Sequence, residues 1–314
     1  LSRHKHLPLN LTLGMNMLNV FFVALRRLFV VGAMLFTIAA LGVGFTINNP
    51  FYVVLFKAPV AGGADPDTEL TNNLQFWFRG ETLTGTEGSS ISNWPNSSSI
   101  NPSWYVTNAT AAQWPTLTNT FNGRVGTNAL LFDGSDDVMF TSNSAALNIM
   151  RNTNDCTIIG VARQNNIGTA KAIFMAGKNT ANNYRDGIEF TSGELARGAQ
   201  RTLDADGVIN VTAGNASSVT AAVLVHVDFT HTNEVDVTGS LITIYTNNVQ
   251  TASGAGATPA KTSNTASTQV SLAGRGASLF FSGEIAEVRM YVPKVTAAYR
   301  TNIWNHLSAK YNIP

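Results

Sequence analysis

At 314 residues the chain has room for one large domain or two modest ones. Charged residues make up only 12% of it and the formal net charge is +1, which excludes a broad electrostatic field of the kind that recruits nucleic acid or acidic partners. Cys156 is the single cysteine. That excludes an intrachain disulfide and a cysteine-based zinc site, and its apolar setting in residues 156–161 predicts a buried, inert thiol.

The chain opens with a basic cluster, Arg3, His4, Lys5 and His6, which reads as a cytoplasmic anchor. Two histidines two residues apart supply too few ligands for a metal. An apolar stretch with Asn16 and Asn19 on one flank follows, and it predicts an interfacial helix over about 9–25. Residues 28–47 then run without a charge, directly after Arg26 and Arg27. A run of this length can cross a bilayer as a helix, which needs about 20 apolar residues. A paired arginine keeps the leading end in the cytoplasm.

The predicted membrane anchor therefore runs from Arg26, Arg27 and Leu28 to Ile47. Arg26-Arg27-Leu28-Phe29 is similar to a twin-arginine export signal, but the apolar run exceeds a signal-peptide core. The expectation is a retained, single-pass anchor over residues 1–57, with the rest of the chain periplasmic or extracellular. Within it, residues 51–56 (FYVVLF) suit the outer interface. Residues 58–69, rich in Ala, Gly, Pro and Asp, read as a linker.

From residue 70 onward short apolar strands alternate with turn residues. Strands are predicted at 74–78, 158–163, 172–176, 187–190, 219–229, 241–245, 278–281 and 284–292. In 219–229, Val223, Val225, Val227 and Phe229 share one face. His226 lies on the other face and is expected to be partly exposed. Asn247-Asn248 tolerates the positive φ of a tight hairpin. Residues 251–268 are Ala, Gly, Ser and Thr-rich and read as a long loop. Thr296 is a candidate N-cap for a closing helix in which Tyr299, Ile303, Leu307 and Tyr311 recur every four residues, with Trp304 beside them. This pattern predicts a mainly β chain, an antiparallel sandwich with one C-terminal helix.

Several phrases occur in a telling order: residues 74–78 (LQFWF), Ser92-Asn93-Trp94, residues 113–117 (QWPTL), residues 131–137 (LFDGSDD) and residues 283–288 (GEIAEV), followed by the helix through Lys310-Tyr311. Residues 70–314 resemble the concanavalin A-like lectin/glucanase superfamily in its laminin-G-like bacterial branch. The resemblance implies a jelly-roll of two curved antiparallel sheets, common on envelope proteins that bind glycans or other proteins. Asn96 departs from the pattern, standing where the family often has an acidic residue.

Some relatives in that superfamily are glycosidases, which need two converging carboxylates about 5–5.5 Å apart for retention. The close pair on one predicted strand is Glu284 and Glu287. Three residues apart, they should point to opposite faces, and Ala286 lies where the enzymes carry an Asp. Asp133, Asp136 and Asp137 offer three carboxylates in five residues; a tight polar turn and a Ca2+ site are the two readings. Trp94, Trp104, Tyr105 and Trp114 cluster in a loop-rich region, where core packing, a subunit interface and a sugar-stacking platform are the readings. No Gly-x-Ser-x-Gly elbow or phosphate-cradling glycine loop occurs.

The expected function is non-catalytic: a membrane-anchored accessory subunit of a larger assembly. It would meet other membrane-protein subunits and the lipid bilayer through its N-terminal helices. A glycan-binding, lectin-like adhesin is the alternative, and a glycoside hydrolase the third reading.

Overall fold

The structure is a computed structural model. It describes residues 44–47, 53–56 and 73–314, the last without 142, 148, 150–154, 166–168, 179–185, 193–194, 201–208, 213–220, 231–240, 256–268 and 276–277. The chain divides into two units after Ala64. In the first, strands β1 (Gly44–Ile47) and β2 (Val53–Phe56) pair antiparallel, Gly44 opposite Phe56 and Ile47 opposite Val53. The last four residues of the predicted membrane span are thus strand, not helix. A β-rich stretch, Phe45-Thr46-Ile47, finds an equally apolar partner across residues 48–52. Arg26, Arg27 and Leu28 lie outside the described residues, as does the interfacial helix predicted at 9–25. No helix among the described residues is long and apolar enough to cross a membrane.

The second unit contains β3 (Leu74–Arg79), β4 (Asn93–Pro95), β5 (Tyr105–Thr107), β6 (Thr116–Phe121), β7 (Arg124–Asp133) and β8 (Met139–Thr141). A short helix, α1 (Ser144–Leu147), precedes β9 (Asp155–Gln164), β10 (Lys171–Lys178), β11 (Asp186–Phe190), β12 (Ala196–Gln200) and β13 (Ile209–Thr212). Then come β14 (Val223–Thr230), β15 (Leu241–Thr246), β16 (Val249–Ala255), β17 (Gln269–Leu272), β18 (Ser282–Tyr291) and the helix α2 (Ala297–Tyr311). They form two antiparallel sheets. The first runs β13-β12-β11-β10-β17-β8-β5-β4; the second runs β16-β15-β14-β9-β18-β7-β6, with β3 added on β18.

Period-two alternation makes the sandwich. Val223, Val225, Val227 and Phe229 of β14 point inward with Ile158, Ile242 and Val288 of the second sheet. They meet Phe174, Ile188, Val270 and Leu272 of the first sheet in one core, where each large apolar side chain contributes about 1.5–3 kcal/mol. Asn247 and Asn248, at φ 49° and 62°, close the β15–β16 hairpin as their residue type allows. The buried Cys156 belongs to the same core, and burial, with Asp186 and Asp228 nearby, pushes its thiol well above its ordinary range.

Helix α2 starts where Thr296 Oγ1 accepts from the Tyr299 amide at 3.3 Å and stops at Asn312, in the left-handed region at φ 54°. Its buried stripe of Tyr299, Ile303, Leu307 and Tyr311 covers the outer face of the second sheet, packing with Trp77, Ile159, Val161, Leu224 and Tyr291. Here the structure corrects one expectation. His226 is only 2% exposed, because the face it shares with Leu224 is roofed by α2.

Two further expectations fail locally. Residues 278–281 are not a strand: Leu279, at φ 53°, turns the chain and packs on Ala172, Met175 and Ala199 as a plug. Residues 251–255 are not loop but the second half of β16, polar because they pair only with β15 at the sheet edge; residues 256–268 lie outside the described residues.

Asn96, the departure noted in the sequence, is a hub. Its Oδ1 accepts from the Trp77 amide at 2.6 Å and the Ser98 amide at 3.2 Å, while its Nδ2 donates to the carbonyls of Gln75 and Asn101, both at 2.9 Å. An ionised aspartate could accept the first pair but not donate the second.

Candidate functional site

Of the readings open for the four aromatic residues, core packing fits Trp94 and Trp104. Trp94 is fully buried, its ring 5.9 Å from Phe78 and its Nε1 donating to the Arg79 carbonyl at 3.1 Å. Trp104 is 7% exposed and packs against Phe76 at 5.0 Å. Tyr105 is exposed, because neighbours on a strand alternate and Trp104 takes the inner side. Trp114 is half-buried, its indole donating to the Asn108 carbonyl at 2.6 Å. Two of the four are core residues, and no single face carries all of them.

Asp133, Asp136 and Asp137 do come together, one oxygen of each lying within 4.8 Å of the others. Most of this geometry is the turn's own. Asp133 Oδ1 accepts from the Ser135 amide at 2.8 Å and the Asp136 amide at 3.4 Å, and Asp137 Oδ2 accepts from the Asp133 amide at 2.9 Å. The oxygens left over fall short of the six to eight ligands calcium takes, so the donor set by itself fits a polar turn. Burial first, then the charges of Asp133 and Asp136, raise the Asp137 carboxyl to about 6.

Glu284 and Glu287 depart from expectation in an instructive way. A β-bulge at Ala286 lets Glu284 sit opposite Arg163 and Glu287 opposite Val161. Arg163 and Val161 are two apart on β9, so both glutamates share the outer face of the second sheet. The bulge is also where β18 exchanges one neighbour, β7, for another, β3.

Sharing a face does not make them a catalytic pair. Glu287 is 1% exposed, and both its oxygens are occupied. Trp77 Nε1 and Arg289 Nε donate to Oε1 at 2.7 and 2.5 Å, while Lys310 Nζ and the Tyr311 hydroxyl donate to Oε2 at 2.6 Å each. Glu284 pairs with Arg163 at 2.7 Å, and burial raises its carboxyl despite that arginine.

The structure brings together a shallow cleft, with no enclosed volume, that sequence spacing did not reveal. Leu224 and His226 of β14, Tyr245 of β15, Asn248 of the hairpin turn, and Arg300, Ile303 and Trp304 of α2 line it. Arg300 stands over the Tyr245 ring, 3.8 Å from its centroid, and its Nη1 lies 3.5 Å from Asp228 Oδ2. Asp228 Oδ1 takes His226 Nε2 at 2.8 Å and the Thr157 hydroxyl at 2.5 Å. Burial would raise the Asp228 carboxyl, but the bonds and charges of His226, Thr157 and Arg300 hold it below its ordinary value. The Asp228 anchor thus fixes the guanidinium from below. Trp304 and Tyr245, both half-buried, remain at the rim with Asn248. Only the Trp304 position beside the helical stripe hinted at this site.

No protein-family model and no curated protein sequence matches the chain. Solved structures are similar in fold. One is botulinum neurotoxin type C, which depends on interaction with two ganglioside molecules to enter cells; it is 10% identical, with a TM-score of 0.51 over 76% of this chain and 52% of that one. Another is the binding domain of Paraclostridial mosquitocidal protein 1, 13% identical, TM-score 0.50, over 76% of this chain and 53% of that one. Trypanosoma rangeli sialidase is 11% identical, TM-score 0.50, over 85% of this chain and 42% of that one. The chain thus spans about half the length of the toxin chains it matches. These likenesses establish an antiparallel, two-sheet β-sandwich of the jelly-roll type.

Proposed function

We propose that the sandwich is a non-catalytic carbohydrate-binding domain of laminin-G-like type that lays a sugar against the shallow cleft between β14, β15 and α2. The observation that carries this is the rim itself. Half-buried Trp304 stands beside Asn248 and an Arg300 guanidinium stacked on Tyr245, a combination that offers one apolar ring face to sugar C–H groups and directed hydrogen bonds to hydroxyls. Kinship in fold with a ganglioside-dependent toxin supports the same reading. The sealing of Glu287 beneath Lys310 and Tyr311 supports the absence of glycosidic cleavage.

Trp304→Ala in the full chain is the test. Oligosaccharide affinity should fall at least about tenfold, roughly 1.4 kcal/mol, with the far-ultraviolet circular dichroism unchanged. Affinity equal to wild type in a folded Trp304→Ala protein overturns the cleft assignment. Release of reducing ends from any bound oligosaccharide overturns the non-catalytic reading.

The sequence of residues 1–57 supports display of this domain at a membrane, with the N-terminus cytoplasmic. Extraction of the native protein by alkaline carbonate, without detergent, would overturn that part. Purification with a fixed set of membrane-protein partners would favour the accessory-subunit reading over the lectin-like one.

A further inference from the structure

The outer face of the first sheet carries a patch on β4, β5 and β8 that the cleft does not use. Alternation turns Trp94, Val106 and Met139 into the core. It leaves Asn93, Pro95, Tyr105, Thr107 and Phe140 on the other side. Register joins these five into one surface: Asn93 stands opposite Thr107, Pro95 opposite Tyr105, and Thr107 opposite Phe140. Tyr105 is therefore diagonal to Phe140, a separation of about 7–8 Å that one ligand can bridge.

Neither aromatic ring serves the core. Tyr105 is 47% exposed. Half-buried Phe140 joins none of the hydrophobic clusters formed by the described residues. The polar groups beside the rings have capacity to spare. Thr107 donates its hydroxyl to the Ser92 carbonyl at 2.6 Å, which leaves its lone pairs as acceptors. The carboxamide of exposed Asn93 makes no hydrogen bond among the described residues. None of the three strands carries a charged residue.

The dimensions of the patch restrict its occupant. Each of the three strands is three residues long, so the patch measures about 10 Å by about 10 Å. An area on the order of 100 Å² falls far short of the roughly 800 Å² per partner in a stable protein interface. Ser271, the next residue along the row after Phe140, is fully buried and ends the patch on that side. On the other side Pro95 blunts the edge strand β4, since it offers no amide for a ladder with a second copy.

We infer that this patch is a second, weaker saccharide platform, on which a neutral β-linked glucose chain lies across Tyr105 and Phe140 with hydroxyls on Asn93 and Thr107. A glucose ring with every hydroxyl equatorial presents C–H groups on both faces, which suits stacking on aromatic rings. A β-1,4 linkage keeps the chain extended, so one chain can meet both side chains. The platform is weaker than the cleft because a flat surface covers the sugar from one side only. This inference rests on the carbohydrate-binding reading above, but it uses no residue of the cleft.

The test is titration calorimetry of the full chain with a β-1,4-linked glucose hexamer and with its α-1,4-linked isomer, whose chain curls. The wild type should take the β-linked hexamer at two sites, one tight and one weak. Tyr105→Ala should lower affinity at the weak site about tenfold, leaving the tight site and the melting temperature as in wild type. Phe140→Leu, which keeps the apolar bulk without the flat ring, should weaken the same site. Trp304→Ala should spare it, and Trp304→Ala/Tyr105→Ala should lose both. A weak site that survives Tyr105→Ala and Phe140→Leu, that weakens in high salt, or that prefers the α-linked hexamer overturns the inference. A single site, abolished by Trp304→Ala alone, overturns it while the cleft reading stands. A single site abolished by Tyr105→Ala and untouched by Trp304→Ala supports the platform and removes the cleft. Absence of binding to both hexamers removes both.

Discussion

Replacing Glu287 with glutamine is expected to cost about 3–5 kcal/mol of stability, the range for breaking one partner out of a buried ionic network. That is a large share of the about 5–15 kcal/mol that holds a typical domain together. Four donors converge on this carboxylate, and two of them, Lys310 and Tyr311, belong to the last turn of α2. The other two, Trp77 and Arg289, belong to β3 and β18. Loss of the negative charge leaves Arg289, 1% exposed, beside an amide that cannot balance it. Lys310→Ala should cost less, since Lys310 sits nearer the surface and Arg289 still faces the Glu287 carboxylate.

The pH dependence follows with its sign. Burial would raise the Glu287 carboxyl, but Arg289, Lys310 and the bonds from Lys310 and Tyr311 outweigh burial and hold it at about 2, against an ordinary 4.5. A carboxyl lowered by folding contributes stability fully above its unfolded value, and loses it as pH falls from 4.5 through about 2. The difference is worth ~3 kcal/mol. Urea denaturation of wild type and Glu287→Gln between neutral pH and pH 2 checks this. The wild type should lose its advantage across that window while the variant stays flatter. A variant within about 1 kcal/mol of wild type at neutral pH would show that the network contributes nothing net.

The parts of this fold that could be read from sequence are those whose cause is local. Valines spaced by two in β14 and a Tyr-Ile-Leu-Tyr stripe spaced by four in α2 state which face is apolar. Asn247-Asn248 states a hairpin, because the side chain tolerates positive φ. What could not be read depends on register between distant strands. One extra residue at Ala286 brings Glu284 and Glu287 to the same face, and nothing in the local residues Gly283 to Val288 announces it. The cleft is remote in the same sense: Leu224, Tyr245 and Arg300 come from three elements, so no spacing rule could have grouped them. His226 shows the remaining gap. Alternation said which face it occupies, but only the docking of α2 says that this face is covered.

The aromatic residues of the 94–114 region carry the second large prediction, because the sequence left open whether they serve a ligand or the core. Trp94→Ala should cost about 3–5 kcal/mol, the price range for truncating a buried aromatic. The ring fills core volume between β4 and Phe78, and its indole satisfies the Arg79 carbonyl. Trp94→Phe should cost less, retaining most of the packing, since the Arg79 carbonyl still accepts from the Thr82 hydroxyl at 2.8 Å. Tyr105→Ala, one residue from buried Trp104 but 47% exposed, should stay within about 0.5 kcal/mol. Chemical denaturation ranks the three, and oligosaccharide binding measured well below the unfolding transition separates packing from recognition. Core residues should lower stability and leave the affinity of the folded protein intact. The reverse pattern, lost affinity at full stability in Trp94→Ala, would return recognition to this region and take it from Trp304.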